Sequence, residues 1–484
     1  MFFNLFNRKI DVPSDHPALL SSGRSMTYFE LDRHVNAWAG YLTSIGIKRG
    51  MHTAILSGNN PDFVALLCAL WRLGAVVVPL NVRLLDSELE ILIADSGATH
   101  LFIHADLNSR LPESRNSISR LIFPHTLPDL PKPGSLEYGN RDMQDIALIL
   151  YTSGTTGSSK GVMLTYDNLL QSAAAADSVI KHTLSDRWLA SLPFYHIGGI
   201  SIPVRAILSA STIIIPESLR AEEIVTAMQL LRPSLASFVT TTLRRIIESG
   251  IKPNAEMRCL LLGGGPVEDD LSRKALEDGW NIVKVYGSTE TSSLVTAVNL
   301  NENPAKISSA GIPLLENEIC IVDEQGSRVP PGNSGEILVK GKSVMAGYWN
   351  KPGETKMKLN GGFYLTGDLG HLDEEGYLYV ETRRTDLIIT GGENVNPLEV
   401  EAAILKHGEV QDVCVFGLMD DQWGQLVAAA IVSKNKPSEE EIISFLRSSI
   451  SSYKIPKKIY FIDEIPKTSL GKVRRDYVRQ MLSK

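Results

Sequence analysis

Cysteine is scarce in this chain, which has only four in 484 residues. Cys68, Cys259, Cys320 and Cys414 are scattered, without a C-x-x-C spacing and without histidines clustered beside them. This distribution indicates neither a disulfide framework nor a zinc site, because both need closely and regularly spaced ligands. A reducing cytoplasm is the compartment that fits such a chain best.

Long apolar runs and an excess of basic charge are also missing. The most hydrophobic window, DFVALLCALWRLGAVVVPLNV, contains Arg72 and Pro79 and predicts a buried helix followed by a strand, with no membrane span. The start of the chain has no basic region ahead of an apolar stretch, so no signal peptide is predicted. The formal net charge of -7 argues against nucleic acid as a partner.

The chain does contain the pattern of a large α/β protein. Its hydrophobic share of 43% and charged share of 21% are those of an ordinary globular protein. Apolar segments rich in valine, isoleucine and leucine alternate with amphipathic ones, which predicts parallel sheets covered by helices on both faces. The predicted strands are HTAILSG, AVVVPL, THLFIH, ALILYTSG, RWLASLP, STIIIP, LASFVTT, MRCLLLGGG and NIVKVYG.

The pattern changes twice in the second half of the chain. After Glu290, the segment ENEICIVDEQGSRVPPGNSGEILVKG alternates apolar and polar residues between turn signals, which predicts a small antiparallel β subdomain. From about Asp386 onward, helical and strand patterns alternate in a compact α+β unit. We predict a large N-terminal domain over 1–382, a hinge over 383–387 and a small mobile C-terminal lid domain over 388–484.

A segment rich in glycine and hydroxyl residues, TSGTTGSSKG, follows one of the predicted strands. Glycines allow close backbone approach, and the exposed N–H groups, hydroxyls and single ammonium are suited to holding a polyphosphate. The segment is not a Walker A loop, because Lys160 precedes a glycine instead of a serine or threonine. Taken alone, it also fits a flexible surface turn.

This segment resembles the phosphate loop of the adenylate-forming superfamily, which includes the acyl-CoA synthetases. Similar motifs follow in the family's order: YGSTET at 286–291, YLTGD at 364–368 with Arg383 after it, and PKTSLGKV at 466–473. The resemblance implies ATP, Mg²⁺ and coenzyme A as ligands of an AMP-forming acid–thiol ligase. The ATP- and AMP-binding residues that it implies are Thr152, Ser153, Gly154, Thr155, Thr156, Gly157, Lys160, Gly265, Tyr286, Gly287, Ser288, Thr289, Asp368 and Arg383.

Individual roles also follow from the resemblance. Tyr286 would pack on adenine, Thr289 would meet the α-phosphate, and Glu290 would hold the metal ion. Asp368 and Arg383 would grip the ribose. Lys472 would reach the reacting carboxylate and the α-phosphate, where a positioned cation stabilises the charge of the transition state. Each motif alone has a plainer interpretation: a helix N-cap, a capped turn, a surface ion pair or a solvated basic face.

The segment PFYHIGG at 193–199 stands where amino-acid-activating members of the superfamily carry an aspartate. The resemblance therefore implies a carboxylic acid without an ammonium group. Since no carrier-protein segment follows Lys484, coenzyme A is the expected acceptor. His196 would lie between the acyl pocket and the adenylate, although a lone histidine also fits a protein core. The implied acyl pocket comprises Tyr195, His196, Gly198, Gly199, Arg205, Gly263 and Gly264.

The segment RRTDLIITGGENVNPLEVE at 383–401 is similar to the o-succinylbenzoate–CoA ligases of menaquinone biosynthesis, and so is LLGGGP at 261–266. Other acyl- and aryl-CoA ligases share much of the first pattern. The resemblance implies that Gly391, Gly392 and Glu393 line the coenzyme A tunnel and that Thr385 is the pivot of the hinge. Thr382 and Thr385 depart from the residues that many members carry there.

The resemblance favours 2-succinylbenzoate as the acid. This acid has a second carboxylate, and Arg205 is the candidate to receive it, although an arginine on the outer face of a helix is an equal alternative. Medium-chain fatty, benzoate-type and hydroxycinnamate CoA ligases remain rivals. So does a non-catalytic acyl-adenylate binder, which the presence of Lys472 disfavours. The oligomeric state is left open, with a homo-oligomer as one option.

Overall fold

The structure is a computed structural model that describes residues 2–5, 8–111, 118–122, 142–152, 159–265, 267–383, 387–433, 435, 437–466 and 473–483. The chain forms two compact units. The larger unit comprises residues 1–82, 90–150 and 161–381, and the smaller unit comprises residues 83–89, 151–160 and 382–484. The hinge at 383–387 stays a prediction, because residues 384–386 lie outside the described part.

Helices are distributed over the whole length of the chain. Within the described residues the α-helices are α1 (Tyr28–Ser44), α2 (Pro61–Arg72), α3 (Asp86–Ser96), α4 (Tyr166–Ile180), α5 (Ile197–Leu208), α6 (Ala221–Leu231), α7 (Thr240–Glu248), α8 (Asp269–Glu277), α9 (Pro352–Lys358), α10 (Pro397–Ile404), α11 (Glu439–Arg447) and α12 (Arg475–Leu482). Short 3-10 helices cover Ala105–Leu107, Thr289–Thr291, Pro304–Lys306 and Ser452–Lys454.

The strands of the same residues are β1 (Phe2–Leu5), β2 (Arg8–Asp11), β3 (Pro17–Ser21), β4 (Arg24–Thr27), β5 (His52–Leu56), β6 (Val76–Leu80), β7 (His100–Ile103), β8 (Ser119–Ile122), β9 (Ile146–Thr152), β10 (Lys160–Thr165), β11 (Arg187–Leu189), β12 (Thr212–Ile215), β13 (Leu235–Phe238), β14 (Cys259–Leu262), β15 (Ile282–Ser288), β16 (Ser293–Asn299), β17 (Ile312–Pro313), β18 (Glu318–Val322), β19 (Gly335–Lys340), β20 (Gly347–Tyr348), β21 (Leu359–Asn360), β22 (Phe363–Leu372), β23 (Leu378–Arg383), β24 (Ile388–Thr390), β25 (Glu393–Val395), β26 (Val410–Asp420), β27 (Gly424–Ser433) and β28 (Lys458–Phe461).

Two large sheets dominate the larger unit. One has the strand order β20-β10-β9-β6-β5-β7-β8, and the other β17-β16-β15-β14-β13-β11-β12-β3-β4. Their central pairs are parallel, and β16, β17 and β4 add antiparallel edges to the second sheet. Every predicted apolar segment contains a strand of these sheets. The prediction of an α/β fold with parallel sheets is therefore confirmed.

Helix α2 shows how the sequence positions one of the covering helices. Asn60 caps its first turn by accepting a hydrogen bond from the Phe63 N–H at 2.7 Å, and Pro61 stands at the first helical position, where no N–H is needed. All the residues from Phe63 to Arg72 are buried, as expected of a helix enclosed in the protein. The buried Arg72 guanidinium pairs with the carboxylate of Asp32 at 2.9 Å.

The change of pattern after Glu290 corresponds to an antiparallel sheet. Strands β18, β19, β22 and β21 are neighbours in that order, and β23 pairs with β22. Their inward side chains, among them Ile319, Ile321, Ile337 and Val339, form a separate small core. The predicted β subdomain is therefore confirmed.

The smaller unit has the predicted α+β composition. Its sheet has the order β25-β24-β27-β26, with β28 parallel to β27. Helices α10 and α11 contribute Val400, Ile404, Ile442 and Leu446 to one core with this sheet. Among the described residues of both units, no helix is long and apolar enough to cross a membrane.

A buried lysine holds part of the smaller unit together. The Lys454 ammonium lies 2.5 Å from a carboxylate oxygen of Glu88 and 2.6 Å from one of Glu399, and its side chain is only 6% exposed. The Ser451 hydroxyl also donates to Glu88. Because removing one partner of a buried ion pair leaves uncompensated charge, this cluster is sensitive to the loss of the cation.

Replacing Lys454 by methionine is expected to destabilise the smaller unit by about 3–5 kcal/mol, because two partly buried carboxylates lose their shared cation. Hydrogen exchange of the β28 amides, measured by mass spectrometry on the full chain, should speed up accordingly. The matched control is Lys457→Met, since Lys457 is exposed three residues further on. Unchanged β28 protection in Lys454→Met would contradict the stabilising role.

Candidate functional site

The carboxyl ends of parallel strands bring three of the predicted site segments to one edge of the nine-stranded sheet. β11, β13, β14 and β15 are parallel neighbours, so the segments that follow them leave the sheet on the same side. The segments are 193–199 after β11, 263–265 after β14 and 286–290 at the end of β15. This edge is where open α/β sheets bind their ligands.

Two motifs that are far apart in sequence meet through a hydrogen bond. The Tyr286 hydroxyl donates to Asp368 Oδ2 at 2.8 Å across 82 residues. Asp368 is 7% exposed, and its backbone N–H donates to the Thr366 hydroxyl at 3.0 Å. Gly367 between them has a φ of +79°, which favours glycine. The structure therefore joins the predicted adenine and ribose residues, whose roles stay predictions.

Replacing Tyr286 by phenylalanine is expected to raise the KM for ATP about ten- to hundredfold, because a hydrogen bond to a carboxylate contributes about 1.5–3 kcal/mol. Steady-state kinetics with varied ATP would measure this effect. Tyr379→Phe is the matched control, since its hydroxyl also faces an aspartate, Asp373, at 3.4 Å. A fall in kcat with an unchanged KM for ATP would contradict a role in placing Asp368 for the nucleotide.

Glu290 is held beside two buried tyrosines. The Tyr348 hydroxyl donates to Glu290 Oε1 at 3.0 Å, and both Tyr348 and Tyr364 are 4% exposed. Burial first, and then the negative charge of Glu290, raise the pKa of both phenols, so these rings stay protonated donors. Among the described residues nothing donates to Glu290 Oε2.

This arrangement fits a hard cation. A half-buried carboxylate with one oxygen fixed by Tyr348 and the other unengaged by the described residues is a suitable ligand for Mg²⁺, which prefers oxygen and keeps part of its water shell. Tyr364 belongs to the same motif as Asp368, so the metal candidate and the ribose candidate share one polar cluster. Tyr348 was not predicted from the sequence. The only signal is an aromatic residue after the glycine of AGYWN.

The turn that carries Thr289 and Glu290 is fixed by close backbone contacts. A Cβ atom on Gly287 would lie 1.6 Å from the carbonyl oxygen of Ser293, so only glycine fits there. The Ser288 N–H donates to the Thr291 hydroxyl at 2.8 Å, and the Met345 N–H donates to the Glu290 carbonyl at 2.8 Å. Thr289 thus begins a short 3-10 helix directly after the strand.

The predicted acyl-side residues surround the start of α5. His196 is its N-cap residue and is half-buried, and its ring meets the Tyr195 ring edge to face at 4.8 Å between centroids. A Cβ atom on Gly199 would lie 1.9 Å from the Pro193 carbonyl oxygen, while one on Gly198 would lie 3.2 Å from Leu192 Cδ1. Gly199 is therefore required by the backbone, whatever its role in a pocket.

Asn59 shapes the same turn and was missed by sequence reasoning. Its side-chain amide donates to the Leu192 carbonyl at 2.8 Å and to the Ala190 carbonyl at 3.1 Å, and its Oδ1 accepts from the Phe194 N–H at 2.9 Å. Asn59 follows β5 of the other large sheet. Its signal in the sequence, the SGNN after a predicted strand, resembles any polar turn.

The three glycines after β14 differ in their surroundings. Gly263 is buried, and a Cβ atom there would lie 2.7 Å from Val285 Cγ2. Gly264 is exposed with a φ of +84°, and Gly265 is half-buried. This loop therefore approaches the end of β15 closely at Gly263 and reaches solvent at Gly264.

Arg205 is not brought to His196. It lies in the last turn of α5, nine residues after His196, which corresponds to about 13 Å along a helix. Since β11 and β12 are parallel, α5 returns toward the amino end of β12, away from the edge that carries the other residues. Its neighbours are Trp188 and His182. The geometry gives no support to Arg205 as an acyl-pocket residue.

The smaller unit contains further predicted residues. Gly391 and Gly392 have φ values of +56° and +83° and form the two-residue turn between β24 and β25. Glu393 is 3% exposed and pairs with Arg83 at 3.2 Å. Thr152 is half-buried at the end of β9, and Lys160 is 5% exposed at the start of β10. A role in binding coenzyme A or phosphate stays a prediction for each of them.

The remaining predictions lie outside the described residues. They concern the phosphate-loop residues 153–157, the pivot Thr385 and the lysine Lys472. Arg383 ends β23, and only its backbone is described.

Comparison with known proteins identifies the family of the chain. The AMP-binding enzyme family matches residues 6–349, and the AMP-binding enzyme C-terminal domain matches residues 399–472. A 2-succinylbenzoate–CoA ligase of Bacillus thuringiensis is 35% identical over 482 residues, which cover 99% of this chain and 98% of the relative.

Solved structures are similar over the same length. A double mutant of the o-succinylbenzoate CoA synthetase of Bacillus subtilis, bound to a product analogue, superposes with a TM-score of 0.90 at 31% identity over 96% of each chain. The same synthetase in complex with ATP and a magnesium ion gives 0.74, at 31% identity over 96% of each chain. The family match, the full-length relatives and the clustered motifs lead to one conclusion: this chain belongs to the AMP-binding enzyme family.

Proposed function

We propose that the chain is an ATP-dependent acid–CoA ligase that converts 2-succinylbenzoate, ATP and coenzyme A to 2-succinylbenzoyl-CoA, AMP and pyrophosphate. The product would serve menaquinone biosynthesis. The observation that carries the nucleotide part is the Tyr286–Asp368 hydrogen bond, with the Glu290 carboxylate held in the same cluster. The acid is supported by the full-length similarity to 2-succinylbenzoate–CoA ligases.

The first half-reaction forms the acyl-adenylate. A carboxylate oxygen of the acid attacks the α-phosphorus of ATP, and pyrophosphate leaves. Tyr286 and Asp368 would hold the nucleoside, Thr289 would donate to the α-phosphate, and Lys472 would offset the charge that gathers on it. Glu290 would bind Mg²⁺, which supplies charge neutralisation at the phosphates.

The second half-reaction forms the thioester. The thiolate of coenzyme A attacks the carbonyl carbon of the mixed anhydride, the C–S bond forms, and AMP leaves with the anhydride oxygen. Gly391, Gly392 and Glu393 are the proposed contacts for coenzyme A. The two glycines of this turn carry no side chain, and the Gly391 N–H donates to the Trp423 carbonyl at 2.8 Å, which fixes the turn beside the Trp423 ring.

The pocket wall at 193–199 favours an acid without an ammonium group. The residues there are Pro193, Phe194, Tyr195, His196, Ile197, Gly198 and Gly199, which contribute no carboxylate. The half-buried His196 at the start of α5 is a donor within this wall. Because Arg205 lies at the other end of α5, it is not among the groups proposed to receive the aromatic carboxylate.

A pyrophosphate-release assay with a panel of acids tests the proposal. We expect turnover of 2-succinylbenzoate to exceed that of benzoate, hydroxycinnamate and medium-chain fatty acids at least a hundredfold in kcat/KM. Broad turnover of fatty acids would refute 2-succinylbenzoate as the acid, but it would still support the proposed acid–CoA ligase activity. No turnover with any acid, together with tight binding of a preformed acyl-adenylate, would instead indicate a non-catalytic binder.

The proposed compartment is the cytoplasm. All four cysteines are buried free thiols, as expected of a protein that works under reducing conditions. Fractionation of cells that express the tagged chain would test this, and recovery in a membrane or extracellular fraction would contradict it.

A further inference from the structure

Arg205 is a buried cation that the proposed reaction does not use. It is 3% exposed, and neither its Nε nor its Nη2 has a hydrogen-bond partner among the described residues. Burial lowers the pKa of Arg205 to about 10, and no described carboxylate opposes this effect. The contrast is Arg72, equally buried, whose guanidinium is engaged by Asp32 and Asn36. The Trp188 ring below the guanidinium offsets part of this charge, but Nε and Nη2 are left without an acceptor among the described residues, and buried N–H groups without an acceptor are costly.

Two neighbouring side chains also have a buried nitrogen atom without a hydrogen-bond partner among the described residues. Arg205 Cζ lies 5.8 Å from the centroid of the Trp188 ring, and that ring lies 5.1 Å from the His182 ring. Trp188 is fully buried, and the His182 side chain is 2% exposed. Within the described part of the chain, Trp188 Nε1 and His182 Nε2 are both buried without a hydrogen-bond partner. We call Arg205, Trp188 and His182 the Arg205 cluster.

The nearby carboxylates are already engaged elsewhere. Asp186 accepts from Arg258 Nε at 2.8 Å and Nη2 at 2.5 Å, and also from the Ser234 hydroxyl at 2.7 Å. Asp177 accepts from His182 Nδ1 at 2.7 Å and from the His182 N–H at 2.9 Å. The partial negative charge at the end of α5 favours a cation there, but it supplies no acceptor to Nε or Nη2 from the residues that the structure describes.

The groups left over in the cluster are mainly donors. Arg205 offers N–H groups on Nε and Nη2, and Trp188 offers the indole N–H, which can only donate. His182 directs Nδ1 to the Asp177 carboxylate, and burial lowers the pKa of its ring, so Nε2 of the neutral ring is an acceptor and does not belong to the donors for an anion. Donors around an uncompensated cation select an anion. A spherical halide suits them best, since it accepts from any direction and needs no further partner on the protein.

We infer that the Arg205 cluster is a buried binding site for a small inorganic anion, with chloride as the physiological occupant. Arg205 supplies the charge and two donor nitrogens, and the Trp188 indole N–H supplies another donor. The site lies at the C-terminal end of α5, remote from His196 at the N-terminal end. Anion binding there stabilises the larger unit. It does not depend on which acid the chain activates.

Bromide, which substitutes for chloride and scatters anomalously, tests the inference directly. Crystals of the full chain grown in sodium bromide should show one anomalous peak within hydrogen-bond distance of Arg205 and Trp188 Nε1. The peak should be absent in crystals of Arg205→Met. A water molecule at this position, with no anomalous signal in bromide, would overturn the inference.

Thermal unfolding gives an independent measurement in solution. At constant ionic strength, replacing sodium gluconate by sodium chloride or bromide should raise the Tm of the wild-type chain by about 1–3 °C, because a ligand that binds only the folded state stabilises it. The control Arg187→Met should keep this shift, since its side chain points to the opposite strand face from Trp188.

Arg205→Met should lose the halide-dependent shift whatever its absolute Tm. If that variant does not fold, Trp188→Phe serves instead, because it removes one donor and should reduce the shift. An equal shift in wild type, Arg205→Met and Trp188→Phe would contradict the site and indicate a general salt effect. No shift in the wild-type chain would contradict it as well.

Discussion

Alanine at position 472 is expected to lower the rate of acyl-adenylate formation by about 10²–10³, because a preorganised donor to transition-state charge contributes about 3–4 kcal/mol. The thioester-forming step does not pass through a charged phosphorus centre. Coenzyme A transfer from a preformed 2-succinylbenzoyl-adenylate should therefore stay within about threefold of wild type, a difference of only about 0.7 kcal/mol. The two steps are measured separately, by pyrophosphate release and by thioester formation.

The control for Lys472→Ala is Lys457→Ala, which removes an exposed cation from the same unit. It should leave both half-reactions near wild type. If Lys472→Ala slowed both steps equally, its role would be structural or shared, and the assignment to adenylation alone would be refuted. If neither step changed, the resemblance of PKTSLGKV to the family motif would have no catalytic meaning here.

The strands and helices could be predicted from the sequence because each has a local signal. The run AILS before a polar turn and the run CLLLGGG are continuous apolar segments, which is the pattern of strands buried on both faces. The strand order could not be predicted. Nothing in β3 indicates that Leu19 pairs with Ile213, because that contact depends on packing across nearly 200 residues.

Site residues could be predicted where they belong to a family motif. Residues that hold the motif residues in place through hydrogen bonds could not. Tyr286 and Asp368 were both identified, but their hydrogen bond was not, since it joins elements of different sheets. Tyr348 and Asn59 support the cluster and the turn without any motif of their own. The role of such residues becomes visible only in the folded structure, where the Tyr348 hydroxyl and the Asn59 amide reach their hydrogen-bond partners.

Arg205 is a prediction from spacing that the geometry does not support. Its position after the His196 motif suggested a pocket residue, because nine positions look close in a sequence. In a helix they span two and a half turns, about 13 Å, and lead to the other edge of the sheet. Distance along a helix, and the direction in which a β-α-β unit returns, decide whether two neighbouring motifs can share one site.

The second large effect is expected at Glu290. Glu290→Gln keeps the shape of the side chain and an oxygen that can accept from the Tyr348 hydroxyl, now 3.0 Å away, but it removes the negative charge. Because Mg²⁺ is a hard cation that prefers charged oxygen ligands, the Mg²⁺ concentration for half-maximal adenylation should rise by at least about tenfold. At saturating ATP and low Mg²⁺, adenylation should fall by about 10²-fold or more.

Two companion variants separate the metal from the fold. Tyr348→Phe removes the hydrogen bond and leaves the carboxylate, so its Mg²⁺ dependence should shift by only about two- to fivefold, as expected for loss of a support to a ligand. Glu302→Gln, at an exposed position, should behave as wild type. If Glu290→Gln lost activity with an unchanged Mg²⁺ dependence, Glu290 would act by accepting from Tyr348, and the metal would be held by other groups.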